Sequence, residues 1–119
     1  MHVSIVIPNY NGESYILDCI TSKYDQIEDK NEIIVIDNHS SDNSIALIQE
    51  HYPDITLIEN QENVGFAAAV NQGIRQVASD YVILLNNDAF ARPGFVRELY
   101  NCIKEDPRIF SVSAKMLRY

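Results

Sequence analysis

A chain of 119 residues with a 46% hydrophobic fraction suits a single domain, and at this size roughly two thirds of the surface exposed by the unfolded chain can be buried. Its formal charge of -8 excludes nucleic-acid backbones and anionic lipid as main partners, because both repel surplus carboxylates. No apolar run approaches the roughly 18 residues of a membrane span, and Met1-His2-Val3-Ser4 leads straight into a strand pattern, so a cytoplasmic setting is the default expectation.

Val3 to Ile7 read as a first strand, which Pro8 is expected to end because it lacks an N–H donor. Pro8-Asn9-Tyr10-Asn11-Gly12 is then a loop at a strand's carboxyl end. From Glu13 to Tyr24 the apolar Ile16, Cys19, Ile20 and Tyr24 recur at helical spacing. Asp25 to Asn31 is a polar connection, and Glu32 to Asp37 a buried strand that ends in a carboxylate. Asn38-His39-Ser40-Ser41-Asp42-Asn43-Ser44 is a run of turn and N-cap residues. The helix that follows runs to about His51, with Ile45, Ile48 and Tyr52 on one side, and Pro53 stops it.

Ile55 to Ile58 form a short third strand, and Glu59 to Gly65 a polar loop. From Phe66 the pattern Phe66, Val70, Ile74, Val77 is helical, while Ala67, Ala68, Ala69 and Gly73 flatten the helix surface. An interior Gly costs about 1 kcal/mol relative to Ala, so Gly73 predicts close packing against the sheet. Tyr81-Val82-Ile83-Leu84-Leu85 reads as a strand buried on both faces, stopping at Asn86-Asn87-Asp88. Pro93-Gly94 open a helix to about Glu105 that buries Val96, Leu99, Tyr100 and Ile103, and Ile109 to Leu117 resemble a fifth strand.

Strands alternating with helices predict an α/β fold: one domain over residues 1–119, three-layer α/β/α, around a mostly parallel sheet. Loops at the carboxyl ends of three strands then meet on one rim, where such folds bind ligands, and bring Tyr10, Asp37 and Asp88 together. Tyr10 offers an aromatic face for a planar ring, Asp37 two acceptors for a base or ribose, and Asp88 a hard oxygen ligand for Mg²⁺ or Mn²⁺. A nucleotide carrying a diphosphate fits this set. Cys19 and Cys102 lack metal or disulfide spacing and are expected to be buried thiols on helical stripes, and His2, His39 and His51 show no ligand spacing.

Four segments carry a family resemblance: Val3 to Asn11, Val35 to Ser44, Asn63 to Ala67 continuing to Asn71-Gln72-Gly73, and Leu84 to Asp88. In this order they resemble the family 2 glycosyltransferases of the GT-A fold, whose nucleotide-binding half is Rossmann-like. The resemblance implies a nucleotide-diphospho-sugar donor, UDP- or dTDP-linked, and a glycan or lipid-linked glycan acceptor. It implies that Pro8 and Tyr10 line the nucleobase pocket, with Asn11 and Asn38 alongside, and that Asp37 holds the base. Asn63, Gly65 and Asn71 would lie beside the nucleotide and sugar. Asn86-Asn87-Asp88 would be the DxD-type motif, with Asp88 as metal ligand. The Asn63-x-Gly65-Phe66 form and the leading Asn86 look most like the rhamnosyltransferase-like branch.

Asn86 replaces the first Asp of the motif, leaving Asp88 as the single carboxylate there. The family's general base, an Asp well beyond that motif, has no counterpart here, so no catalytic residue is assigned. The expectation is a donor-binding half, truncated at its C-terminus, inactive or weakly active alone and membrane-associated only in a longer context. Its last strand would be exposed to self-association. A dehydrogenase is disfavoured because no GxGxxG follows the first strand. A phosphoreceiver-like domain, which would use the late Lys115, wants acidic residues where Asn9 and Asn11 stand, and a non-catalytic interaction fragment is the third alternative.

Overall fold

The computed structural model describes residues 2–109 and 111–112. In chain order the elements are β1 (Val3–Asn9), α1 (Ile16–Tyr24), β2 (Ile33–Asp37), α2 (Ser44–His51), β3 (Thr56–Glu59), α3 (Phe66–Gln76), β4 (Tyr81–Leu84) and α4 (Phe95–Lys104). The β-branched runs of β1 and β2 are buried on both faces, as expected for central parallel strands. Ile5, Ile7, Ile33 and Val35 meet α1, α2 and α4 through Ile16, Cys19, Ile20, Ile48 and Val96. On the other face Val6, Ile34 and Ile36 meet α3 through Ala69. Each fully buried Ile contributes about 1.5–3 kcal/mol relative to exposure, so these two strands anchor both helical layers.

All four strands are parallel, in the order β3-β2-β1-β4. The chain steps outward from β1 to β3 and then returns to the other side of β1. Strand order therefore reverses between β1 and β4, and in such sheets a crevice opens beyond the strand ends at that point. Gly73 explains how α3 sits so low on the sheet. A Cβ there would lie 2.4 Å from Val6 Cγ1, so the close packing expected from sequence holds. Among the described residues no helix is long and apolar enough to cross a membrane.

Several local expectations need correction. β1 continues through Pro8 to Asn9. The Val6 carbonyl accepts the Leu85 N–H at 3.1 Å and the Asn9 carbonyl accepts the Asn38 N–H at 2.9 Å, so even-numbered residues of β1 face β4 and odd-numbered ones face β2. Pro8 thus points its missing donor to a level where β4, ending at Leu84, has left the ladder. Nor is β4 buried on both faces: Tyr81, Val82 and Ile83 are half-buried and Leu84 is 50% exposed, because β1 is its only described neighbour.

In α3 the buried face is Ala69, Val70 and Gly73, whereas Phe66 and Ile74 point outward. The small residues win the sheet because only they permit the close approach. α1 begins three residues later than expected, at Ile16, after a turn in which the Gly12 carbonyl accepts the Tyr15 and Ile16 N–H groups. α4 starts at Phe95, beyond Pro93, and fully buries only Val96; Leu99, Tyr100 and Ile103 are half-buried. Cys19 is buried as expected, but Cys102 lies on the exposed side of α4. Most of the fifth strand, with Lys115, lies outside the described residues.

Candidate functional site

The loops after β1 and β2 are stitched together. Asn11, at φ 51°, donates its N–H to Ser40 Oγ at 2.9 Å and accepts the Ser41 N–H on Oδ1 at 2.8 Å. Asp37 ends β2 fully buried. Its Oδ1 accepts Asn9 Nδ2 at 2.9 Å and Ser40 Oγ at 2.7 Å, and its Oδ2 accepts the Ser40 N–H at 2.8 Å. Three donors thus fix the position of this buried carboxylate.

Asn38, also buried, sets the next loop. Its Oδ1 accepts Asn60 Nδ2 at 3.0 Å, and its Nδ2 donates to the Gly65 carbonyl at 3.2 Å. Asn60 in turn exchanges two 2.8 Å hydrogen bonds with Gln72 on α3. Asn63 Oδ1 accepts the Gly65 N–H at 2.9 Å, and Gly65 enters α3 at φ 88°, a conformation that glycine adopts without penalty.

The turn after β4 is held more sparsely. The Ala89 N–H bonds to the Asn86 carbonyl at 3.1 Å, and Asn87 Nδ2 donates to Asn9 Oδ1 at 2.8 Å. From below, Cys19 Sγ lies 3.4 Å from the Asn86 carbonyl. Lys23, wholly buried, donates to Cys19 Sγ at 3.0 Å and to the Cys19 carbonyl. Burial pushes the Cys19 thiol pKa up against the pull of Lys23, and burial pushes the Lys23 ammonium pKa down.

Between these loops lies a cleft of about 390 Å³, lined by Pro8, Asn9, Tyr10, Asn38, Asn63, Gly65, Phe66, Asn86, Asn87 and Asp88. It opens at the switch point between β1 and β4. Eight of these were expected; Asn9 and Phe66 were not. Phe66, read from sequence only as the start of a helical pattern, is 59% exposed at the rim. Three expected residues lie outside the wall. Asp37 sits beneath it, Asn11 ties the loops behind it, and Asn71 is exposed on α3. Among the described residues Asp88 is the only charged one in the lining, and it is exposed to the cleft. The described residues contain no cluster of three or more His, Cys, Asp or Glu able to hold a metal.

The pattern of Glycosyl transferase family 2 matches residues 4–117. The chain belongs to this family. A similar protein, the chondroitin synthase of Escherichia coli, is 33% identical over 107 residues, covering 87% of this chain and 16% of that protein. The crystal structure of Staphylococcus aureus TarS 1-349 in complex with UDP-GlcNAc superposes with a TM-score of 0.78 at 20% identity, over 88% of this chain and 32% of that one. The mannosyltransferase PcManGT of Pyrobaculum calidifontis, in complex with GDP-Man and Mn²⁺, gives a TM-score of 0.66 at 27% identity, over 75% of this chain and 28% of that one. The parallel sheet and its helices thus have the GT-A fold. The family 2 chain spans about a sixth of the chondroitin synthase, 32% of the TarS 1-349 chain and 28% of the PcManGT chain.

Proposed function

We propose that the cleft binds a nucleotide-diphospho-sugar together with a divalent ion, as the donor site of a glycosyltransferase. The observation that carries this is the cleft's charge. Among its described lining residues a diphosphate meets one carboxylate, Asp88, and no Lys or Arg, so a cation between Asp88 and the ligand offsets their repulsion. Mg²⁺ and Mn²⁺ suit such a place, because they are held by one or two carboxylates plus substrate phosphates and water rather than by an all-protein cage. The absence of a three-ligand cluster among the described residues fits a shared ion of this kind.

Under this reading Tyr10 and Pro8 pack against the base, while Asn38, Asn63 and Gly65 line the nucleotide and Asn86, Asn87 and Asp88 face the diphosphate. Asp88 holds the ion, which as a Lewis acid stabilises charge on the departing nucleoside diphosphate. Asp37 reaches the cleft through Asn9 and Ser40, Asn11 fixes the loop that carries Tyr10, and Asn71 stands further out on α3. UDP and dTDP are the preferred nucleotides. The Asn63-x-Gly65-Phe66 segment and the leading Asn86 support placement in the rhamnosyltransferase-like branch. Among the described residues Asp88 is the one carboxylate in the lining, and no general base is assigned.

Thermal melting with UDP or dTDP and Mn²⁺ tests the reading. A ligand at a hundredfold excess over its Kd stabilises by about 2.7 kcal/mol, so the melting temperature should rise by several degrees. No rise with either nucleotide in the presence of Mn²⁺ overturns it.

A further inference from the structure

Asn9 is 1% exposed and lies where three strand ends converge. Asp37 already accepts from the Ser40 N–H and Oγ, and Asn9 turns its NH₂ to Asp37 Oδ1 (2.9 Å) and its oxygen to Asn87 Nδ2 (2.8 Å). The result is one hydrogen-bonded line from β2 through β1 to the turn after β4, across the switch point. The last backbone bond between β1 and that turn is Leu85 N–H to the Val6 carbonyl. Beyond it, among the described residues, the side-chain bonds that tie the turn down are Asn87 to Asn9 and the Cys19 contact to the Asn86 carbonyl.

Gly12 supports the same line independently. A Cβ at this position would lie 2.3 Å from Asn9 Oδ1 and 2.5 Å from Asn87 Nδ2, on the bond itself. Its φ is not positive, so the backbone does not demand glycine there. Space for the amide pair does.

We propose that Asn9 is a positioning residue: it transmits the fixed place of Asp37 to the Asn86-Asn87-Asp88 turn, and so sets where Asp88 presents its carboxylate, with Gly12 leaving room for the link. This rests on the nucleotide reading for its consequence, but the link itself is separate from it. Asn9→Leu removes both hydrogen bonds at similar volume, and Gly12→Ala wedges the pair apart while leaving every polar group in place, so the two variants fail independently.

UDP titration calorimetry with and without Mn²⁺ reads the effect. In both variants the gain in affinity that Mn²⁺ gives, read as the ratio of affinities with and without the metal, should fall about tenfold, the scale of one hydrogen bond to a charged group. Equal losses with and without metal, or an unchanged Mn²⁺ gain in a folded variant, overturn the proposal. The ligand-free readout is hydrogen exchange at the Ala89 amide, which closes the turn: it should speed up by about tenfold in Asn9→Leu. Unchanged exchange refutes the link whatever the nucleotide result, whereas faster exchange with no UDP binding to the wild type supports the link and sinks the nucleotide reading alone.

Discussion

The two banks of the cleft are built differently. On the β2 bank Asp37 and Asn38 are buried, and every side-chain polar atom has a partner that fixes the loops above it. On the β4 bank Asn86 and Asp88 are exposed, the strand that carries them lies beside β1 alone among the described residues, and two side-chain contacts hold the turn. One bank is prebuilt by folding. The other is left adjustable, which suits the role proposed for Asp88, meeting an ion and a diphosphate.

The largest effect should come from breaking the rigid bank. Asp37→Ala strands Asn9 Nδ2 as a buried donor and the Ser40 N–H and Oγ as half-buried ones, and should cost about 3 kcal/mol of stability in urea unfolding. Nucleotide binding should weaken with and without metal, because the loops above Asp37 lose their anchor. A loss below about 0.5 kcal/mol would mean that this bank is not held by its carboxylate.

A smaller change, of opposite sign, is expected beneath the adjustable bank. Lys23 is a buried cation whose nearest partners are the Cys19 carbonyl and thiol, with no carboxylate among its hydrogen-bond acceptors. Lys23→Met should stabilise by about 1–2 kcal/mol at neutral pH. The pH profile gives the sign. Burial lowers the folded-state pKa of Lys23, so between that value and the ordinary lysine pKa of about 10.4 the unfolded chain binds more protons and wild-type stability rises with pH. Cys19 opposes this above its ordinary value, since its raised folded pKa keeps the proton on the native thiol. The Met variant should lack the rise. A wild-type profile that stays flat between neutral pH and pH 10 would contradict the burial of the cation.

The parts of this design that were legible in sequence are those written locally. The β-branched runs of β1 and β2 mark central strands, Gly73 marks the close approach of α3, and the polar triplet after β4 marks a strand end. What was not legible depends on which strands are neighbours. The chain does not state that β1 and β4 are adjacent, so the exposure of Leu84 and the Asn9–Asn87 bond could not be read from it. Asp37 read as a ligand because it ends a strand; only the fold reveals that Asn9 and Ser40 already occupy it. Lys23 did carry a signal, since it falls at helical spacing on the buried stripe of Ile16, Cys19 and Ile20.

The smallest change in stability carries the most direct test of function. Asp88→Ala should alter unfolding free energy by no more than about 0.5 kcal/mol, as expected of an exposed turn residue with no hydrogen bond to lose. The decisive measurement is calorimetric titration of UDP, with and without Mn²⁺, into the wild type and this variant. The wild type should bind more tightly with Mn²⁺, and the variant should bind with the same affinity in both conditions. A variant that keeps the full Mn²⁺ gain, or a wild type that shows none, would contradict the assignment of the cleft as a metal-dependent nucleotide-sugar site.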